Sequence, residues 1–243
     1  MKKLVAPIVL WTAALLMPLP AAAQITNYEG VLGSQEYLDF LGGSGVVSPW
    51  TEQMPNGAWS QVYVGPYVGR FATNGVTSPS FSLVCVDFEH FAGDQWVNVT
   101  SLGSGQSDAG LANTRLGAGT GSLDTYRRAA YLSSLFESWE DYGTSKSTVW
   151  SGIHAAIWTI TSGAEVGGDA VTRDYFLHLA DTEGATYAAD GWYVLSGVDG
   201  RYQEMLVRTN TVPEPSTWLL MGTGLALLLV FGRGRMRKLD EVA

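Results

Sequence analysis

The run from Trp218 to Phe231 cannot be the buried stripe of an ordinary helix. Leu219, Leu220, Met221, Leu225, Leu227, Leu228, Leu229 and Val230 would cover every face of it. A segment without a polar side belongs in hydrocarbon, so this end of the chain is withdrawn from the soluble fold. It has fourteen residues, or seventeen from Ser216 to Gly232, at the short edge of the roughly 17–25 that span a bilayer as a helix. Arg233, Arg235, Arg237 and Lys238 follow it, and such a cluster stays on the cytoplasmic side. The other end is withdrawn too. Lys2 and Lys3 head the apolar stretch Leu4–Met17, and Ala21-Ala22-Ala23 supplies small residues for a peptidase. This pattern predicts a signal peptide over 1–23, cut between Ala23 and Gln24. Residues 24–209 must therefore supply the folded body.

The junction between body and tail is Val212-Pro213-Glu214-Pro215-Ser216. Each proline fixes its own φ and pushes the preceding residue to extended geometry, so no helix runs through. The order Pro213-Glu214-Pro215, apolar segment, basic cluster resembles the PEP-CTERM sorting signal of Gram-negative bacteria. The resemblance implies a sorting signal over 210–238, with one transmembrane helix at about 216–232 and a basic tail at 233–238. It implies that an exosortase cuts near the motif after signal peptidase has removed the leader. The protein would be held transiently in the inner membrane and then reach the cell surface or the extracellular space. Extracellular polysaccharide is a further candidate partner.

Between Gln24 and Val212 stand eight Lys and Arg against twenty Asp and Glu, a formal charge of −12. So acidic a body argues against nucleic acid or an anionic membrane surface as its partner. Cys85 is the only cysteine, which rules out an intramolecular disulfide and leaves one thiol to explain in an exported protein.

The body reads as α+β: a β-rich sandwich or barrel with two or three helices. Alternation predicts strands at Gln61–Val64, Tyr67–Ala72, Phe81–Phe88 and Gln95–Thr100, with closing strands at Gly191–Ser196 and Tyr202–Arg208. In the third of these, Phe81, Leu83, Cys85 and Asp87 share one face. Ser101–Ser122, rich in Gly and Ser, reads as a mobile loop. Asp124 can cap a helix running to about Ser138. A second helix is expected from about Lys146 to Thr161, its apolar stripe flanked by Trp150, His154 and Trp158 at i, i+4 and i+8. A shorter third helix spans about Val171 to Ala180.

Three segments in order resemble bacterial surface thioester domains: Val62–Tyr67 leading to Val84-Cys85-Val86-Asp87-Phe88, then Tyr126–Leu132, then Ile153-His154-Ala155-Ala156-Ile157-Trp158. In that family a strand cysteine and a helix glutamine join as an internal thioester. Here the glutamine position is His154, and an imidazole has no acyl carbon for a thiol to attack. The resemblance thus implies the architecture without the bond, and no cofactor. If the helix docks as in the family, Cys85 and His154 are neighbours. A thiol beside an imidazole can form a nucleophilic thiolate–imidazolium pair, with Asp87, Glu89 or Asp169 to orient the ring. The opposing reading is a small buried hydrophobe beside a core histidine, since neither an oxyanion hole nor a local catalytic cysteine signature is visible.

Other signals are weaker. His90, His154 and His178 match no standard zinc spacing, and the acidic spot at Glu137, Glu140 and Asp141 matches no calcium loop. Asn98-Val99-Thr100 fits a glycosylation acceptor only formally. Trp50, Trp59 and Trp192 could stack on sugars where exposed. Three functions compete: an exported, non-enzymatic surface or matrix protein; a thiol peptidase or transferase using Cys85 and His154; and a carbohydrate-binding module.

Overall fold

A computed structural model describes residues 26–43, 45–54, 57–163 and 169–210. The signal peptide with Ala21, Ala23 and Gln24, the motif Pro213-Glu214-Pro215, the transmembrane helix at 216–232 and the basic tail lie outside the described residues. Among the described residues no helix is long and apolar enough to cross a membrane.

The body is a small barrel with helices packed on it. Its strands are β1 (Gln35–Gly42), β2 (Val47–Gln53), β3 (Trp59–Tyr63), β4 (Tyr67–Thr73), β5 (Val76–Thr77), β6 (Phe81–Cys85), β7 (Gln95–Ser101), β8 (Trp192–Gly197) and β9 (Met205–Arg208). The sheet runs β1-β7-β8-β9-β6-β4, and β1 also pairs with β4, so six antiparallel strands close on themselves. Closure removes the free edges that an open sheet would expose. The register places Leu38, Phe71, Tyr67, Leu83, Cys85, Val207, Met205, Leu195 and Val97 on the inner face, and all are buried. Gly69 leaves the inside space they need, because a Cβ there would lie 2.5 Å from Leu83 Cδ1. β2 and β3 form a separate hairpin.

Three helices follow the same logic. α1 (Ser122–Ser134), α2 (Lys146–Ser162) and α3 (Ala170–Thr182) are present as expected in number and order. Ser145 caps α2 by accepting from the Thr148 N–H, and Asp169 caps α3 through Val171 and Thr172. α2 is buried nearly all round, from Val149 to Trp158, as a helix must be when it packs against α1, α3 and the β2–β3 hairpin together.

The sequence reading needs correcting in several places. Phe81–Phe88 stops as a strand at Cys85, because the Asp87 carboxylate accepts from the Glu89 N–H and turns the chain. Asp124 is not a cap. The residue before α1 is Gly121, and the first-turn donors of Gly121 and Leu123 go to Asp108, fourteen or so residues upstream. Ser101–Ser122 is irregular but well anchored: Leu102 and Leu111 are fully buried, and Arg127 donates to the carbonyls of Leu102 and Gly103. Two strands before Val62, β1 and β2, were not foreseen. The Asn74-Gly75 turn that joins β4 to β5 was also missed, although both residues take positive φ and the dipeptide is a strong hairpin signal.

Candidate functional site

The two residues singled out for chemistry stand at one end of the barrel. Cys85 ends β6 on the inner face, and α2 brings His154 and Trp158 to that end. The Trp158 ring lies 4.7 Å from Phe88, and the His154 ring 6.0 Å from Tyr67. Cys85 and His154 are both fully buried, with Tyr67 and Trp158 touching the surroundings of each.

His154 is held from several sides. It stacks on Trp158 at 4.7 Å and 8°, one helical turn along α2, and Phe136 meets its edge at 5.1 Å. The Gly65 N–H donates to its Nδ1 at 2.9 Å. Nδ1 is thus an acceptor and the ring proton sits on Nε2, which has no partner among the described residues. Burial lowers the pKa of His154 to about 3, so the ring is neutral throughout the ordinary pH range. Gly65 can make this contact because its φ is +89° and because it has no side chain; a Cβ would sit 1.9 Å from the Trp150 ring.

The Cys85 thiol donates to the Asp87 carbonyl at 3.2 Å. Burial above all, with Asp87 and Glu204 adding their charge, pushes it up to about 12. The Trp158 indole N–H pulls the other way, yet it makes no hydrogen bond of ordinary geometry. Among the described residues no hydrogen bond joins Cys85 to His154, and neither shifts the other's proton affinity. The site holds a protonated thiol and a neutral imidazole, not an ion pair.

The groups proposed to orient the ring do other work. Asp169 caps α3. Asp87 is fully buried beside Arg115, whose Nη1 lies 2.5 Å from Asp87 Oδ1 and 3.6 Å from Glu89 Oε2. Asp87 also receives the Glu204 N–H at 3.4 Å. His90 Nδ1 is 3.1 Å from Asp87 Oδ2 and 2.7 Å from Arg115 Nη2, so it can donate to the carboxylate or accept from the guanidinium. Asp87, Glu89 and His90 bring three potential metal ligands within 4.8 Å of one another, but the Arg115 guanidinium already serves as their cation. His154 stands apart in the core and His178 is exposed on α3.

Next to this cluster lies a carboxylate that sequence reasoning missed. Glu204 is buried, and it accepts from the Tyr126 hydroxyl at 2.5 Å, the Ser196 hydroxyl at 2.5 Å and the Arg115 N–H at 2.9 Å. Burial, and then the neighbouring Asp87 charge, raises its pKa above the usual carboxylate value despite those three donors. A lone Glu near the start of the predicted strand Tyr202–Arg208 offered no sequence signal. Its partners come from 78, 8 and 89 residues away. Of the tryptophans considered for sugar stacking, Trp192 is sealed, Trp50 half-buried and Trp59 62% exposed.

The C-terminus carries the PEP-CTERM protein-sorting motif, matched over residues 211–238. The motif implies an exported protein, anchored through its C-terminal region in the membrane of a Gram-negative bacterium and processed by an exosortase. No curated protein matches the chain. Among solved structures, the body is similar to the N-terminal thioester domain of a surface protein from Clostridium perfringens. The TM-score is 0.40 and the identity 14%, over 58% of this chain and 87% of that one.

Proposed function

We propose that the chain is a non-enzymatic surface or extracellular-matrix protein. Signal peptidase removes residues 1–23, the segment at 216–232 holds the chain transiently in the inner membrane, and an exosortase releases it near Pro213-Glu214-Pro215. The body is then an adhesive or interaction module without a thioester. The observation that carries this reading of the body is His154. A buried, neutral imidazole, already used as an acceptor by Gly65, stands where a thioester needs a carboxamide, and the thiol it would have met stays protonated. The thiol-enzyme alternative needs a thiolate, which burial disfavours at this position.

The intact mass of the protein recovered from cells tests this. The expected species begins at Gln24, ends near the Pro-Glu-Pro motif and carries one alkylatable thiol once denatured. A mass lower by one ammonia, which rises by one methylamine on treatment with that amine, would overturn the absence of a thioester. Retention of the whole tail in every recovered form would overturn release by an exosortase.

A further inference from the structure

The two ends of the body leave from one pole of the barrel. The Tyr28 N–H donates to the Arg208 carbonyl at 2.8 Å, the Asn210 N–H to the Tyr28 carbonyl at 3.1 Å, and Asn27 Nδ2 to Asn210 Oδ1 at 2.7 Å. The Tyr28 ring packs on Phe71 and Phe81 at 5.0 and 5.2 Å, which are the strand ends farthest from Tyr67 and Cys85. The sorting motif begins at residue 211, directly after this pole. The pole crossed by α2 is the opposite one, facing away from the point where the chain leaves for the motif.

At that opposite pole is a cavity of about 320 Å³ between β3, the Phe88–Ala92 segment and α2, the size of a small-molecule site. Its floor is aromatic, from Tyr67, Phe88 and Trp158. On its rim Tyr63 is 53% and Phe91 65% exposed, two bare rings lining one cavity. Gln61 and Gln203 add carboxamides. Gln61 spends its Nε2 on the Ser48 carbonyl; the backbone of Gln203 is fixed by Phe91 and Gln95. None of the described residues lining the cavity is charged, and the body around it is strongly acidic. An anion would be repelled, and a cation would find no carboxylate in the lining.

We propose that this cavity binds a neutral sugar unit of a glycan chain. The C–H face of a pyranose stacks on Tyr63 and Phe91, as apolar faces do on aromatic rings, and its hydroxyls bond to the two carboxamides. The proposal rests on the body being an interaction module and names what it holds.

The test is calorimetric titration of the mature protein from cells with neutral hexasaccharides (cello-, malto-, laminari- and chitohexaose) and with anionic hexagalacturonate. At least one neutral chain binds saturably, and Tyr63→Ala and Phe91→Ala each weaken it by about tenfold. Tyr175→Ala, an equally exposed ring on α3, leaves it unchanged. Circular dichroism of the three variants checks that each is folded, as expected for exposed positions. Tighter binding of hexagalacturonate, indifference to both rim variants, or no binding by any neutral chain overturns the assignment. So does a tryptophan-containing peptide that binds at the rim while sugars do not. If sugars fail but the recovered protein has lost its leader and tail, the export reading stands and only the ligand falls.

Discussion

Cys85 and Asp87 are two residues apart, yet they belong to regions built on opposite principles. Around Cys85 and His154 burial dominates and ionisation is suppressed on both: the thiol rises to about 12, with Asp87 and Glu204 adding to the effect of burial, and the imidazole falls to about 3. Around Asp87 charge is kept and paired, with Arg115, His90 and the N–H groups of Glu89 and Glu204 converging on one buried carboxylate. The first region fills the barrel end; the second fastens the loop at 103–121 and α1 to the outer wall through Arg115, Glu204 and Tyr126. Residue type alone therefore does not set the charge a group carries. What surrounds it decides.

The largest effect expected falls on the neutral region. Gly65→Ala combines a strained positive φ with a Cβ driven into Trp150, and should cost roughly 3 kcal/mol or more, read as a lowered urea midpoint. A near-neutral result would mean that α2 does not press on the Gly65-Pro66 segment. Next comes the charged region. Arg115→Ala strands the Asp87 carboxylate in a buried site, at a cost of about 3 kcal/mol. Arg115 itself is only partly buried, so water entering the gap limits the loss. If Arg115→Ala is silent while Gly65→Ala is severe, the charge cluster is ornamental and the comparison fails.

The two regions were unequally legible in the sequence. The strand ending at Cys85 and the helix carrying His154 announced themselves by periodicity, because burial on one face writes itself into alternation and stripes. Trp150, His154 and Trp158 were placed correctly on one helix for that reason. The charge cluster left no such trace. Arg115 sits in a Gly-rich segment whose composition reads as loose, and it is anchored by contacts that span the chain. Asp108 reaching across to cap α1 has the same cause: a local rule pointed to Asp124, whose carboxylate instead pairs with Arg128 at 2.8 Å. Closure of β1 onto β4 is likewise non-local, so the sequence left sandwich and barrel open as alternatives.

A smaller effect separates packing from chemistry at the thiol. Cys85→Ala should cost about 1 kcal/mol, the loss of one buried heavy atom, and leave surface attachment of the protein unchanged. In the wild type burial holds the thiol protonated at pH 8. Iodoacetamide should therefore label Cys85 only after denaturation. Labelling of the native protein at the rate of a free thiol would favour the thiol-enzyme reading.

The smallest effect has the sharpest sign. His154 has a folded pKa below its ordinary value, so the unfolded chain binds the proton first. Its contribution is complete above about 6.5 and is lost as pH falls toward 3. Glu204 is the reverse. Its folded pKa is raised, so its contribution is complete below the ordinary carboxylate value and is lost as pH rises through the folded one. Glu204→Gln fixes the neutral form: the Tyr126 hydroxyl can turn to accept where it had donated, while Ser196 and the Arg115 N–H keep their acceptor. The change should cost under about 1 kcal/mol at pH 4.5 and become neutral or stabilising at pH 8, measured as urea midpoints at the two values. A variant less stable than wild type by the same margin at both would mean that Glu204 stays ionised with its three donors. The wall would then hold two buried charges against one guanidinium, and its contrast with the neutral barrel end would be greater still.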